Sequence, residues 1–410
     1  MARQEKYIVG LDVGTSKITV VVGEIKPENQ LDVIGIGTAE SSGLRKGVVV
    51  SLEKTVEGIR RAVEEAELMA GIEISRVFIG ISGNHIKGFN SRGVIGISTK
   101  QNEIFSEDID RVIEAAHPAG MPADSEIIHV LPQEFKVDDH EGIMDPSGMS
   151  GRRLEVNAHI VTGSTTAIQN ILTCVHRTGL NLAGKVLVQK ANAEAVLTED
   201  EKEMGVALVD IGAGTTNLAI FERGSLWHTA VIPVGGYNFT NDIAIGLRTP
   251  IPDAEKIKKK YGCVLGSYIE DDAVIEISGV GTPKTRIIPQ RALVDILQPR
   301  AEELLGLVHQ EIRKAGYESV INSGLVITGG SALLTGITEI AELEFSLPAR
   351  LGKPTGIGGL VDVVSSPAYS TAIGLIKFGQ AENGQGLRPT ETGVRKVFKR
   401  IKEFFLADYI

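Results

Sequence analysis

The chain has 410 residues, of which 42% are apolar and 23% are charged, a composition typical of a globular protein with two sizeable cores. With 42 Lys and Arg against 52 Asp and Glu, the net charge of −10 argues against broad binding to nucleic acid. The composition also excludes a disordered chain, a collagen-like repeat and a disulfide-rich miniprotein. Cys174 and Cys263 lack metal-ligand spacing, which predicts reduced thiols in a cytosolic protein. No secretory signal or membrane-spanning segment is expected, because no sufficiently long apolar window occurs.

The first part of the chain predicts a layered α/β domain. Three β-branched segments over 7–38 read as consecutive strands, an amphipathic helix follows over 51–70, and RVFIGISG reads as a fourth strand. A three-strand meander of this kind differs from a doubly wound dinucleotide-binding fold. A helix over 165–185 and a strand at KVLVQ continue the domain.

Residues 84–162 differ in character from their flanks. They contain short alternating segments and a helix that begins near Ser106. The pattern predicts a small α+β unit inserted into the first domain.

An internal repeat links the two halves of the chain. The strand–turn–strand segment GLDVGTSKITV at 10–20 recurs as LVDIGAGTTNLAI at 208–220, with Asp12 and Asp210 in matching places. The repeat predicts two related lobes that face each other.

The second half contains another insertion and a third glycine-rich turn. Residues 231–305 hold a charged helix at PDAEKIKKKYG, a strand pair around AVIEISGVG and the start of a helix from Ala292 to about Ala315. GLVITGGSALLTGI at 324–337 predicts a strand, a Gly-Gly turn and a helix, and a helix near 369–379 closes the globular part.

The last residues predict a tethered amphipathic helix. Residues 381–393 have no periodic apolar pattern and are typical of a linker. The segment 394–410 carries five basic and two acidic residues, a charge of +3, with apolar residues spaced three and four apart. Such a helix is typical of an anchor on anionic lipid, and the alternative is packing on its own domain or in a partner's groove. The residues expected at the membrane are Val394, Val397, Phe398, Lys399, Arg400, Ile401, Phe404 and Phe405.

The paired turns predict a phosphate clamp. Glycine lets the backbone approach a phosphate closely, and Asp12 and Asp210 would face each other across a cleft and hold a hydrated Mg²⁺. A single turn of this kind is more often a plain hairpin, so the prediction depends on the pair together with the turn at 328–331. Neither turn has the spacing of a P-loop or of a Rossmann fingerprint.

GLDVGTSK, VDIGAGTTN and VITGGSALLTG resemble the phosphate 1, phosphate 2 and adenosine motifs of the actin, sugar-kinase and heat-shock-chaperone ATPase superfamily. More narrowly, the chain is similar from end to end to the FtsA family of bacterial cell-division proteins, with close matches at EEAELMAG, ISGNHI, LPQEF, AVLTEDEKEMGVALVDIGAGT and DAEKIKKKYGC. The resemblance implies an actin-like, ribonuclease H-like two-lobed α/β ATPase fold with an inserted α+β subdomain and a C-terminal amphipathic helix. The implied parts are a first lobe at 1–83, 163–197 and 364–380, the subdomain at 84–162, a second lobe at 198–230 and 306–363, its insertion at 231–305, the linker at 381–393 and the helix at 394–410.

The resemblance also implies a ligand set of ATP and Mg²⁺. Asp12 and Asp210 would serve Mg²⁺ through water and act near the γ-phosphate, and Gln189 lies near the place of a water-positioning residue. The superfamily's Glu-Pro pair at that place is replaced here by VLVQKANAEAVL, so at most slow hydrolysis is expected. The implied nucleotide-binding residues are Gly14, Thr15, Ser16, Lys17, Gly212, Ala213, Gly214, Thr215, Thr216, Glu255, Lys258, Gly329, Gly330 and Ser331.

The function implied is polymerisation on the inner face of the cytoplasmic membrane, where the protein would tether filaments of the tubulin-like protein FtsZ at the division septum and recruit later division proteins. Arg300 and Glu303 would meet the FtsZ tail, although an ordinary pair on one helix face is an equal alternative. A small-molecule kinase of the same fold is the main rival. A chaperone ATPase would need a large peptide-binding domain, and a rod-shape filament protein lacks an insertion like 84–162.

Overall fold

The computed structural model describes residues 6–98, 102–118, 120–279 and 285–384. Most of the predicted linker at 381–393 and the whole predicted helix at 394–410 lie outside the described residues. Of the helices that are described, none is both long and apolar enough to cross a membrane.

The first part of the chain builds a mixed sheet with helices on its two faces. Its elements are β1 Tyr7–Val13, β2 Lys17–Ile25, β3 Leu31–Glu40, β4 Leu44–Arg45, β5 Val48–Val49, α1 Leu52–Ala70 and β6 Arg76–Ile81. The predicted meander, helix and fourth strand are confirmed. Helix α1 buries Ile59, Val63 and Ala66 at helical spacing, and Gly71 ends it at φ +68°.

The inserted unit has its own sheet and core. It comprises β7 Lys87–Gly96, α2 Ser106–Ala115, β8 Ser125–Val137, β9 His140–Ile143 and β10 Arg153–Ser164. The strand order is β7, β10, β8, β9, and α2 packs on β7 and β10 around Val112, Leu154 and Val156.

The chain then returns to the first sheet. The elements are α3 Thr165–Arg177, β11 Asn181–Leu187, α4 Val188–Val196 and α5 Glu199–Met204. The predicted helix over 165–185 is therefore too long, because Gly179 adopts φ +85° and starts a turn before β11. The predicted strand KVLVQ ends at Leu187, and Gln189 lies in the first turn of α4.

The second lobe follows the same plan as the first. Its elements are β12 Val206–Ile211, β13 Thr216–Glu222, β14 Ser225–Ile232, α6 Gly236–Gly246, α7 Ile251–Tyr261, β15 Val274–Ser278, β16 Thr285–Pro289, α8 Arg291–Ala315, β17 Leu325–Thr328, α9 Ile337–Phe345 and β18 Ala349–Leu351. The strand order is β14, β13, β12, β17, β18, and the first sheet reads β3, β2, β1, β6, β11. Matching orders confirm the two related lobes predicted from the repeat.

The end of the described chain returns to the first lobe. It contains β19 Gly358–Gly359, α10 Val361–Val364 and α11 Ser370–Gly384. Strand β19 pairs with β3, although its residues were predicted for the second lobe, and α11 packs against β1. Helix α11 also continues through residues 381–384, which were predicted to start the linker.

A buried polar cluster joins the inserted unit to the second lobe. The His159 Nδ1 lies 2.7 Å from Asn90 Oδ1, and its Nε2 lies 2.8 Å from the Thr229 hydroxyl on β14. Since an amide oxygen only accepts, Nδ1 carries the proton and Nε2 accepts from Thr229. Burial lowers the pKa of His159 to about 3, so the ring is neutral and fixed in one tautomer.

Candidate functional site

A cavity of about 560 Å³ lies between the two lobes. Both repeated turns, the third glycine-rich turn and helix α7 contribute to its wall. The lining residues that the sequence predicted are Asp12, Gly14, Thr15, Ser16, Lys17, Asp210, Gly212, Ala213, Gly214, Thr215, Glu255, Lys258, Gly329, Gly330 and Ser331. A volume of this size suits a ligand as large as a nucleotide.

The repeated turns, loop 1 (residues 12–17) and loop 2 (residues 210–215), share one backbone geometry. In loop 1 the Gly14 N–H donates to Lys17 O over 3.0 Å, and in loop 2 the Gly212 N–H donates to Thr215 O over 3.0 Å. Asp12 pairs with Thr19 in the strand register, and Asp210 pairs with Asn217. The two carboxylates therefore occupy equivalent positions on opposite walls.

Backbone N–H groups of both loops remain available for a ligand. The carbonyls of Gly212 and Ala213 accept from the first N–H groups of α6, over 2.9 and 2.8 Å. Within the described chain, the N–H groups of Thr15, Ser16, Ala213 and Gly214 donate to no other protein group. Successive unpaired N–H groups in a tight turn form a nest for anions such as phosphate.

The two aspartates differ in their surroundings. Burial raises the pKa of Asp12 to about 7, opposed by the Lys17 charge and reinforced by Asp210. Burial also raises the pKa of Asp210, but Asn217 and Asn192 oppose that rise. The Asn217 amide donates to Asp210 Oδ2 over 2.9 Å.

The carboxylates at the site suit a cation that keeps its waters better than a cation that is ligated entirely by protein groups. The described residues contain no group of three or more His, Cys, Asp or Glu side chains that could hold a metal. Two facing carboxylates beside a phosphate nest suit Mg²⁺, which keeps several waters and needs few protein ligands.

Lys17 supplies the positive charge at loop 1. Burial lowers its pKa to about 8, and the nearby Asp12 opposes that effect. The ammonium lies 3.6 Å from the ring centroid of Tyr369. It remains cationic at neutral pH and can neutralise a phosphate.

Glu255 and Lys258 lie together on α7, as their spacing predicts. The Lys258 Nζ is 2.7 Å from Glu255 Oε2 and donates to Gly236 O over 2.9 Å. Thr240 hydrogen-bonds to both side chains. Because Lys258 is buried by these contacts, the pair forms a rigid polar wall of the cavity.

The third turn brings glycine against Asp210. Gly329 adopts φ +91°, and a Cβ there would lie 2.4 Å from Asp210 Oδ1. The helix predicted directly after this turn is only a 3-10 turn, Gly330–Leu333, and α9 begins at Ile337. A helix N-terminus therefore does not face the cavity here, and the turn itself lines it.

Two predicted site residues are not brought to the cavity. Thr216 opens β13, where its buried hydroxyl donates to Val234 O over 2.9 Å. Gln189 is buried in α4, where its Nε2 donates to Ala230 O over 3.4 Å. Neither is among the lining residues. The assumed strand at KVLVQ misplaced Gln189, because α4 begins at Val188.

Other residues at the site were missed by the sequence analysis. Asn217 lines the cavity and hydrogen-bonds to Asp210, and Ser82, Val188 and Thr371 also line it. The repeat could have identified Asn217, since it follows Asp210 at the same distance as Thr19 follows Asp12. The other residues come from distant segments without a shared motif.

The predicted partner residues Arg300 and Glu303 lie away from the cavity on α8. The Arg300 guanidinium forms a bidentate ion pair with Asp242, with N–O distances of 2.6 and 3.1 Å, and also contacts Glu303. The Asp242 hydrogen bond raises the pKa of Arg300. Its charge is therefore already matched by two carboxylates.

Comparisons with known proteins agree with this geometry. The sequence pattern described as Cell division protein FtsA matches residues 207–374, and the one described as SHS2 domain inserted in FTSA matches residues 83–162. The Cell division protein FtsA of Pseudomonas aeruginosa is 47% identical over 388 residues, which cover 95% of this chain and 93% of that protein. The chain belongs to the FtsA family of cell division proteins. The FtsA of Neisseria meningitidis is 44% identical, over 92% of this chain and 91% of that protein.

Solved structures place the FtsA-family chain in the actin-like fold. The PilM-PilN type IV pilus biogenesis complex contains a chain with a TM-score of 0.68 and 15% identity, covering 92% of this chain and 99% of that one. MreB5 of Spiroplasma citri, solved with ADP, has a TM-score of 0.58 and 16% identity, covering 94% of this chain and 100% of that one. These likenesses and the SHS2 match confirm the predicted actin-like α/β fold with an inserted subdomain.

Proposed function

We propose that this protein binds Mg²⁺ and ATP in the cavity between its lobes and acts in division as a membrane-bound filament that tethers FtsZ. The observation that carries the proposal is the end-to-end similarity to FtsA proteins, 47% identity over 95% of the chain. Two nests of unpaired N–H groups, two facing aspartates and Lys17 support the ligand assignment.

The nucleotide acts mainly as a structural ligand in this proposal. Loops 1 and 2 would bind the β- and γ-phosphates, Asp12 and Asp210 would hold the hydrated Mg²⁺, and Glu255 and Lys258 would bracket the ribose and adenine. Gln189 lies in α4 away from the cavity lining, which supports slow hydrolysis at most. Binding one ligand to both lobes favours their closed arrangement.

A closed subunit can then assemble head to tail. A heterologous contact of this kind does not close on itself and gives a filament. The tail at 394–410 would lie in the interface of anionic lipid, and because one such helix binds modestly, many helices along a filament would give stable attachment. Later division proteins would be recruited to this surface.

The contact with FtsZ can be tested at Arg300. If an acidic FtsZ tail binds there, it must compete with Asp242 for the guanidinium. Asp242→Asn should then strengthen binding of an FtsZ C-terminal peptide, and Arg300→Ala should weaken it. Equal peptide affinity in both variants would place the FtsZ site elsewhere.

The filament proposal is tested by negative-stain microscopy on an anionic lipid monolayer with Mg-ATP. The full chain should form lipid-bound filaments, and a chain ending at Gly386 should form none on the lipid. Phe404→Ser with Phe405→Ser is the matched control, because it removes apolar surface and keeps the charge of the tail. Absence of lipid-bound assembly from the full chain would contradict the proposal, and sugar-dependent ADP release would favour a kinase.

A further inference from the structure

The ammonium of Lys17 is held by an aromatic ring instead of a carboxylate. Its Nζ lies 3.6 Å from the ring centroid of Tyr369. Across the described residues, no carboxylate oxygen comes within 4.0 Å of this nitrogen. A cation over an aromatic face is attracted by the ring quadrupole, and the attraction grows when both groups are shielded from water.

Tyr369 is itself fixed between the lobes. It ends the short turn Pro367–Tyr369, packs against a hydrophobic core to which both lobes contribute and leads directly into α11. The Pro367 carbonyl accepts from the Gly329 N–H over 3.3 Å. The Thr328 and Ser370 hydroxyls, both buried, lie 2.6 Å apart. The segment that carries the ring is therefore attached to the third glycine-rich turn.

We propose that Tyr369 is a positioning residue, which holds the Lys17 ammonium at the phosphate end of the cavity and ties its position to the Thr328–Gly329 turn. The proposal rests on nucleotide binding as proposed above. Tyr369 touches the lysine and not the ligand, since it is not among the lining residues whereas Lys17 is.

A ring suits this task better than a carboxylate would. A carboxylate would neutralise the ammonium and occupy its N–H donors, so an incoming phosphate would have to displace it. The ring face stabilises the cation and leaves those donors available. The charge of Lys17 is thus held in place without a carboxylate in direct contact with the ammonium.

The test compares ligands with and without the outer phosphates. ATP, ADP and AMP are titrated with Mg²⁺ into wild type, Tyr369→Leu and Tyr369→Phe, in the full chain. We expect Tyr369→Leu to lose about tenfold in affinity for ATP and ADP, the size of a shielded cation–π contact, and to bind AMP unchanged. Tyr369→Phe retains a ring face and should bind all three ligands as wild type does.

Two controls separate positioning from folding. Phe378→Leu removes a second contact of the same kind, Lys190 at 4.8 Å from the ring of Phe378, outside the cavity lining, and should leave all affinities unchanged. In a Lys17→Met background, Tyr369→Leu should lower ATP affinity no further, because the two residues act together.

Each other result contradicts the proposal in a recognisable way. Unchanged ATP affinity in Tyr369→Leu, or an equal loss for ATP, ADP and AMP, would show that Tyr369 does not position Lys17. A further loss of ATP affinity when Tyr369→Leu is added to Lys17→Met would show the same. Absence of nucleotide binding by wild type would instead overturn the proposed function itself.

Discussion

Loop 1 and loop 2 have the same hairpin geometry, yet their aspartates are held in different ways. Asp210 accepts a hydrogen bond from Asn217 and lies against the backbone of Gly329, so its position is fixed by neutral neighbours. Asp12 faces Thr19 in the register and is balanced mainly by the charge of Lys17. The duplicated hairpin therefore supplies two different carboxylates. Asp210 is held in place by its neutral neighbours, whereas the charge state of Asp12 depends on burial and on the nearby charges. This difference is expected to govern cation binding and its pH dependence.

The largest effect on stability is expected where Asp210 contacts the third glycine-rich turn. Gly329→Ala forces a Cβ to within 2.4 Å of Asp210 Oδ1 at a positive φ, and the Cβ of Gly330→Ala meets no atom of the described residues within 4 Å. We expect Gly329→Ala to lower the free energy of unfolding by roughly 2–4 kcal/mol, because strain and overpacking add. Urea unfolding of both variants measures this. Similar losses in the two would show that Asp210 is not held by this contact.

Removing the charge of Asp12 should stabilise the ligand-free protein. The pKa of Asp12 rises from an ordinary 3.8 to about 7 on folding, so the folded state binds more protons than the unfolded state between these values. Stability therefore falls as pH rises from about 4 to 7 and remains lower above 7. Asp12→Asn should raise the free energy of unfolding at pH 8 by about 1–3 kcal/mol.

The gain from Asp12→Asn should shrink as pH is lowered towards 4, which urea unfolding at several pH values measures. Asp210→Asn is the matched variant, and we expect a smaller gain because Asn217 already favours the charged form of Asp210. Equal gains in the free energy of unfolding would show that Asp12 and Asp210 do not differ in this way.

The residues opposite the two aspartates should respond in opposite ways. Asn217→Ala removes the donor to Asp210 Oδ2 and should cost about 1–2 kcal/mol of stability, together with weaker Mg²⁺ binding. Thr19 occupies the equivalent place, and its buried hydroxyl has no hydrogen-bond partner among the residues that the structure describes. Thr19→Val should therefore be neutral or slightly stabilising in thermal unfolding. A loss comparable with that of Asn217→Ala would mean that Thr19 supports loop 1 as well.

A smaller effect is expected on the pH dependence of Mg-ATP binding. Asp12 gains its charge as pH rises through about 7, which favours Mg²⁺, and Lys17 loses its charge as pH rises through about 8, which disfavours phosphate. Affinity should be highest between these values and fall severalfold on either side. Lys17→Arg keeps its charge at higher pH and should lose the decline above pH 8. Titrations at a series of pH values would show this. An unchanged decline above pH 8 in Lys17→Arg would exclude Lys17 as the cause of that decline.

The repeat and the glycine-rich turns predicted two related lobes and the turn residues that line the cavity, and the resemblance to the FtsA family implied the actin-like fold. Asp12, Asp210 and the turn residues lie at strand ends, where the register follows from short-range hydrogen bonds. The spacing of Glu255 and Lys258 predicted that they share one face of α7, and the resemblance implied that this face borders the site.

What could not be predicted depends on tertiary contacts. Gln189 was misplaced because VLVQ fits a strand by composition, whereas the structure begins α4 at Val188. Tyr369 reaches Lys17 only because α11, near the end of the described chain, packs back against β1. Arg300 has the spacing of a surface pair with Glu303, and its strongest partner, Asp242, is contributed by α6.

The most direct test of the account is calorimetric titration of Mg-ATP into the full chain at pH 7.5, beside Asp12→Asn and Asp210→Asn, each with and without Mg²⁺. We predict one site per chain in wild type, with tighter binding in the presence of Mg²⁺, and loss of the Mg²⁺ dependence in both variants. Binding that is indifferent to Mg²⁺ in wild type, or unchanged in both variants, would contradict the assignment of the two facing aspartates to a nucleotide-bound cation.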